Sequence, residues 1–405
     1  MPTTFRPVNG AVTAAPGFRA GSISAGVKSD PGARDVALLA SERLCTVAGT
    51  FTTSRTPAAP VLLCKEHLLA TEGHAQALVM NSGNANCSNG ERGMIDARRM
   101  AELAAKKLDI NPQHVMVSST GIIGRPLPMD KIERGIANVE LLPDGGHLFT
   151  LGIMTTDTRP KEIAIEFEVE GKTMRLGGST KGAGMIYPNM ATMLCYLTTD
   201  AALEPGFQQE VLRRAVNDSF NMICIDGDMS TNDTVLLFAN GLAGNMPLTS
   251  DSPGASVFEA ALRHVTRYLA REMARDGEGA TKLMEVVVRG ARTDADARRA
   301  ARALTISPIW RCAVFGEDPN WGRVLSTLGA CGAEVAHERL DVSFGEVTVV
   351  RGGIAADFRP EAAKAVLALA EFRLTIDLHL GFHSATAWGC DMTHGYIDEN
   401  ATYHR

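Results

Sequence analysis

The sequence predicts a mixed α/β fold, α+β with mixed sheets, divided into two lobes. Three observations predict it. The chain has 405 residues, more than the roughly 250–300 at which a single hydrophobic core stops growing. Helical and strand-like patterns are interleaved along its whole length. Its 45% hydrophobic and 21% charged residues are ordinary for a globular enzyme and leave little material for long disorder.

The first 35 residues carry Pro2, Pro7, Pro16 and Pro31 among several glycines and read as a short tail leading into a strand. They lack the apolar centre of a secretory signal. Asp96–Leu108 reads as a helix with alanines on one face and charges on the other, stopped by Asn111-Pro112. Val115–Ser118 is a short apolar strand. Ile163, Ile165, Phe167 and Val169 alternate with polar residues, as in a half-buried strand. Phe207–Phe220 is a helix with Pro205 near its start. In Ser256–Arg275, Phe258, Ala261, Leu262, Val265, Leu269 and Met273 recur at intervals of three and four, which marks the clearest helix. Strands follow at Glu285–Arg289, Leu340–Phe344 and Leu374–Leu380, with an alanine-rich helix at Glu361–Ala370.

The formal net charge of -6 is mild and offers no basic stripe for a nucleic acid. No apolar run approaches the ~20 residues of a membrane span. The eight cysteines are scattered without a CxxC pair, which favours a reducing, cytoplasmic setting. The histidines form no metal spacing. His379 and His383 are four apart, but on a strand that spacing does not converge on an ion. Neither a metal nor a cofactor is expected.

Six turns rich in Gly, Asn, Asp and Thr separate these elements: NSGNAN at Asn81, SSTGIIGR at Ser118, TTDT at Thr155, GGSTKGAG at Gly177, DGDMSTNDT at Asp226 and GEDPNWGR at Gly316. Such loops are where sites tend to be built. The segment KGAGMIYPNMATML, Lys181–Leu194, runs from glycines through Pro188-Asn189 to Ala191-Thr192 and then into an apolar stretch. A threonine there suits an internal nucleophile, which attacks the preceding carbonyl when the backbone is strained. An N→O acyl shift and hydrolysis would free Thr192. Its α-amine, with a reference pKa of roughly 7.7–8.0, would serve as the base for its own hydroxyl. On chemistry alone the plainer reading, a loop entering a buried strand, is the stronger, because small-residue–threonine pairs are common.

The order of residues changes the balance. The segment resembles the cleavage segment of the ornithine acetyltransferase (glutamate N-acetyltransferase) family at Lys181, Gly182, Gly184, Met185, Pro188, Asn189, Met190, Ala191, Thr192, Met193 and Leu194. The resemblance continues, in the family's order, through NSGNAN, STGIIGRPLPM at Ser119, IMTTDTRPKE at Ile153, DGDMSTNDT, DGEGATK at Asp276 and DPNWGR at Asp318. It implies a two-lobed α/β/β/α arrangement, cut between Ala191 and Thr192 into an α chain, 1–191, and a β chain, 192–405. Thr192 would be the nucleophile and Thr120 with Gly121 the oxyanion hole. Thr155, Lys181, Thr192, Glu278 and Asn400 would bind substrate. For Lys181 and Glu278 the plainer readings are a solvated lysine and an exposed turn acid. Tyr403 matches the family's C-terminal pattern, whereas Arg405 stands where a small hydroxyl residue is usual.

The implied reaction moves acetyl from N-acetylornithine to glutamate by a ping-pong route through acetyl-Thr192, in arginine biosynthesis. Acetyl-CoA would be a co-substrate only if N-acetylglutamate is also made outright. Two α and two β chains would form a heterotetramer. A self-processing amidase or aminopeptidase would share the nucleophile but pass the acyl group to water. A nucleotide binder would need GxxxxGK[ST], and in GGSTKGAG the lysine precedes its glycine.

Overall fold

The structure is a computed structural model; it describes residues 5–187 and 193–401. The chain forms two compact units. The first comprises Met1–Gly182, Asn189–Asn217 and Met229–Leu269; the second comprises Ala183–Pro188, Asp218–Asp228 and Ala270–Arg405.

In the first unit the strands are β1 (Arg6–Pro7), β2 (Phe18–Ile23), β3 (Val36–Phe51), β4 (His74–Asn84), β5 (Val115–Ile122), β6 (Lys161–Val169), β7 (Lys172–Lys181) and β8 (Leu194–Thr199). β9 (Ile223–Cys224) belongs to the second unit, and β10 (Thr234–Ala239) returns to the first. The sheet order is β1-β6-β7-β8-β10-β3-β4-β5, with β2 added on β3. β8 runs antiparallel to β7 and parallel to β10, and β4 runs parallel to β5. The sheet is therefore mixed, as expected.

Period-two alternation gives this sheet two apolar faces. Val36, Leu38, Ala77, Val79, Val115 and Val117 point into one cluster, and Ala37, Leu39, Leu78, Met80 and Met116 into another. A strand buried on both faces reads as a continuous apolar run, which explains ALVM, 77–80, in β4. Among the helices α1 (Ala59–Ala70), α2 (Gly90–Leu108) and α3 (Met129–Asn138), α2 lays Ala97, Met100, Ala101 and Ala104 on the first face. It ends where Asp109 takes a left-handed conformation, φ 56°. Phe149 and Ile153 of α4 (Gly146–Ile153) fill the second face, where Phe149 meets Tyr196 edge-on at 5.6 Å. α5 (Pro205–Asn217) and most of α6 (Ala255–Arg275) complete the unit.

The expected N-terminal tail is instead built into this unit. Val12, Ala15, Phe18 and Ala20 are buried, and β2 pairs with β3. Gly10 (φ 118°) and Gly17 (φ 80°) allow the tight turns that bring this short-residue stretch onto the sheet.

The second unit holds β11 (Leu283–Ala291), α7 (Asp294–Ile306), α8 (Pro308–Phe315), α9 (Trp321–Ala330), β12 (Asp341–Phe344), β13 (Val347–Arg351), β14 (Ile354–Ala355), α10 (Pro360–Leu367), β15 (Glu371–Asp377), β16 (His383–Cys390) and α11 (His394–Asn400). Its sheet order is β14-β13-β12-β15-β11-β16-β9, again mixed. Trp310 is buried and stacks on Phe344 at 5.6 Å. β15 stops at Asp377, short of the predicted Leu380. His379 takes φ 48° and leaves the strand, where its imidazole meets Asp341 at 3.0 Å. No group of three metal-ligating side chains occurs among the described residues, and no described helix is long and apolar enough to cross a membrane.

Candidate active site

The residues singled out by the sequence gather into two sets, one in each unit. In the first unit β7 ends at Lys181, which is 2% exposed and therefore no surface lysine. Its Nζ donates to Thr155 Oγ1 at 2.6 Å and to Thr120 Oγ1 at 3.4 Å. Because both hydroxyl oxygens accept from the ammonium, their own protons point elsewhere and are available as donors.

Asp157 holds this arrangement. Its Oδ1 accepts from Lys161 Nζ at 2.6 Å and from the Gly182 amide at 2.7 Å; its Oδ2 accepts from the Thr155 amide at 2.9 Å. The side chains of Asp157 and Lys161 are both fully buried. Burial alone would push the Asp157 carboxyl up, but the Lys161 and Lys181 charges and the Gly182 amide outweigh it and keep it well below the usual carboxylate range. Apart from lying in the TTDT turn, Asp157 carries no signal in the sequence. Its partner lies four residues on, beyond Pro160, in a spacing that only folding makes meaningful. Lys28, close enough to Lys181 to feel its charge, is lowered to about 8 by burial and donates to the Met154 carbonyl at 2.7 Å.

Thr120 and Gly121 lie near the end of β5, paired with Ser82 and Gly83 of β4. Gly121 has φ 129°, and a Cβ there would sit 2.3 Å from the Gly83 carbonyl carbon. Only glycine fits that conformation and that approach. The backbone of Thr120-Gly121 is thus fixed by a neighbouring strand and not by a free loop.

Thr192, Ala191, Tyr403 and Arg405 lie outside the described residues. The next described residue, Met193, is buried, and its amide donates to Asp233 Oδ1 at 2.9 Å. Cys195, three residues beyond Thr192, is buried in β8 and its thiol is pushed far up by burial, as a core cysteine's would be.

In the second unit Glu278 is 8% exposed, not the solvated turn acid of the plainer reading. Its carboxylate accepts from Asn400 Nδ2 at 2.9 Å, its amide donates to the Ala183 carbonyl at 2.8 Å, and Gly184 gives it room: a Cβ on Gly184 would lie 2.3 Å from Oε2. The structure thus joins Glu278, Asn400 and Gly184. Asp226 of DGDMSTNDT accepts from the amides of Met185 and Ile186. Burial raises its carboxyl to about 6.

The first unit thus encloses an ammonium–hydroxyl cluster, and the second holds a buried glutamate bonded to an asparagine. The sequence profile of the ArgJ family matches residues 19–405. "Arginine biosynthesis bifunctional protein ArgJ" of Symbiobacterium thermophilum is 50% identical over 397 residues, 97% of this chain and 98% of that one. The protein of the same description in Geobacter sulfurreducens is 45% identical over 390 residues, 96% of this chain and 98% of that one. Among solved structures, an ArgJ protein of Bacillus halodurans is 40% identical, covering 50% of this chain and 96% of its own, with a TM-score of 0.49. Ornithine acetyltransferase of Mycobacterium tuberculosis, solved with ornithine, is 35% identical, covering 47% of this chain and 100% of its own, with a TM-score of 0.42. The chain belongs to the ArgJ family and is an acyltransferase.

Proposed function

We propose that this chain cuts itself between Ala191 and Thr192 and then transfers acetyl from N-acetylornithine to glutamate in arginine biosynthesis. Thr192 Oγ attacks the Ala191 carbonyl carbon, the C–N bond breaks, and the hydroxyl proton passes to the departing nitrogen. The α-amine of Thr192 is thereby free, and water then hydrolyses the resulting ester, which releases the hydroxyl and leaves Ala191 with the new carboxylate. The amine then takes the Oγ proton as the oxygen attacks the acetyl carbon of N-acetylornithine. Ornithine leaves with that proton, and the amine of glutamate takes the acetyl group from acetyl-Thr192.

The observation that carries this reading is the buried Lys181 ammonium bonded to Thr120 and Thr155. A cation that donates to Thr120 polarises its hydroxyl, and a polarised hydroxyl beside the Gly121 amide suits a developing oxyanion. Losing one donor of such a hole typically lowers the rate by ~10²–10³. In this reading Lys181 and Thr155 are partners for a substrate carboxylate, and in the second unit Glu278 and Asn400 are partners for an ammonium. β8 begins two residues after Thr192 and is bonded between β7 and β10. A cut there leaves both products in one sheet, which supports chains that stay together; the resemblance further implies a heterotetramer of two α and two β chains. The enzyme acts on small molecules in the cytoplasm without metal or cofactor. Acetyl-CoA is a second acetyl donor if both activities in the relatives' "bifunctional" name are present.

Isotope exchange tests the ping-pong step. With N-acetylornithine, labelled ornithine and no glutamate, label is expected to enter N-acetylornithine. Transfer that proceeds only when glutamate is present, with no exchange in its absence, would contradict the acetyl-Thr192 intermediate.

A further inference from the structure

The motif DGDMSTNDT is only partly accounted for by Asp226. Its last residues before β10 lie wholly within the first unit. Asn232 is 5% exposed, and its Nδ2 donates to two carbonyls, Ala85 at 2.6 Å and Ser119 at 2.8 Å. Ser119 directly precedes Thr120, and its hydroxyl is itself tied to Asn81 Oδ1 at 2.7 Å. Asp233, the next residue, is fully buried, and its Oδ1 holds the Met193 amide at 2.9 Å. The Thr234 amide donates to the Met193 carbonyl at 3.1 Å, so both sides of Met193 are pinned to this turn.

We propose that Asn232 and Asp233 are positioning residues that fix two parts of one site through a single dipeptide. One side chain sets the carbonyl before Thr120; the other sets the amide after Thr192. The inference rests on the reading of Thr192 as nucleophile. The physical reason is rigidity. Neighbouring residues on one backbone cannot move independently, so the distance between the strand of Thr120 and the chain just past Thr192 is held by one turn. Reactions that depend on close approach need such control, since a misplacement of about 1 Å lowers rates by on the order of 10²-fold. A second feature agrees. Burial raises the Asp233 carboxyl well above its usual range, against the pull of the Met193 amide, the Thr52 and Ser230 hydroxyls and the Lys181 charge.

The test compares Asp233→Asn, Asp233→Ala, Asn232→Asp and Thr192→Ala in full-length protein. Self-cleavage is followed by intact mass, and kcat and KM are measured on whatever cleaved protein forms. Asp233→Asn keeps a carbonyl acceptor for the Met193 amide and is expected to cleave and turn over within a few-fold of the parent. Asp233→Ala should slow cleavage and lower kcat by roughly 10- to 100-fold with KM within about twofold. Asn232→Asp keeps the shape but loses both donors, and should lower kcat in the same way. If Asp233→Ala fails to fold, Asn232→Asp and the rescue by Asp233→Asn decide. Parental cleavage and kcat in Asp233→Ala or in Asn232→Asp would overturn the proposal, as would equal damage in Asp233→Asn and Asp233→Ala. Thr192→Ala separates the two readings. If it still cuts, the nucleophile assignment fails; if it stays whole while Asp233→Ala behaves like the parent, only the positioning role fails.

Discussion

At the scale of single residues, the decisive facts are burials that composition does not reveal. Lys181 and Glu278 each look in the sequence like ordinary surface charges, and each is enclosed. Asp157 makes the first arrangement stable by accepting from Lys161, Gly182 and Thr155 at once. Replacing it with Asn removes the carboxylate that faces the buried Lys161 ammonium. The expected loss is about 3–5 kcal/mol of stability, read from urea midpoints. Because the folded carboxyl is depressed, its contribution is complete above the unfolded value near 3.9 and is lost as pH falls further. The gap between parent and Asp157→Asn should therefore be constant from about pH 5 upward and shrink in stronger acid. Gly184→Ala makes a different prediction. The obstructing atoms are the end of the Glu278 side chain, which can swing away, so the variant should fold with a near-parental midpoint but show a raised KM. An unchanged KM would separate Glu278 from substrate binding.

At the scale of elements, strands and helices with strong periodicity were legible, and their ends were less so. α6 begins at Ala255 against a predicted Ser256, because its apolar stripe repeats over five turns. α2 begins at Gly90, six residues before the predicted start, because Gly90 and Gly93 hide the helix from a propensity argument. The N-terminal stretch was misread since small residues and prolines signal a loop, while burial of Val12 and Phe18 depends on partners far along the chain. The polar turns were visible as motifs; their connections were not, since the bonds from Asn232 to Ser119 and Ala85 span 113 and 147 residues. The turn at Asp226 yields a pH prediction. Its folded carboxyl titrates near 6, above the unfolded value, so the folded state holds the proton longer. This contribution is present below about pH 4 and lost as pH rises through about 6. Asp226→Asn should flatten stability against pH across that window; a variant tracking the parent throughout would contradict the assignment.

At the scale of the whole molecule, the account concerns covalent continuity. The nucleophile assigned by resemblance lies between two strands of one sheet in sequence, β7 and β8, which pair antiparallel through Lys181 and Leu194. Cutting the chain there breaks a connection without removing a strand. The fragments are therefore expected to co-elute on gel filtration and to separate only in denaturant. The most direct test of the central claim is the intact mass of the purified protein beside Thr192→Ala. The account predicts two fragments for the parent, of 191 residues and of 405 − 191 = 214 residues, the second beginning at Thr192, and a single uncut chain for the variant. A parent that stays whole on prolonged incubation, or a Thr192→Ala protein that cuts at the same bond, would contradict it.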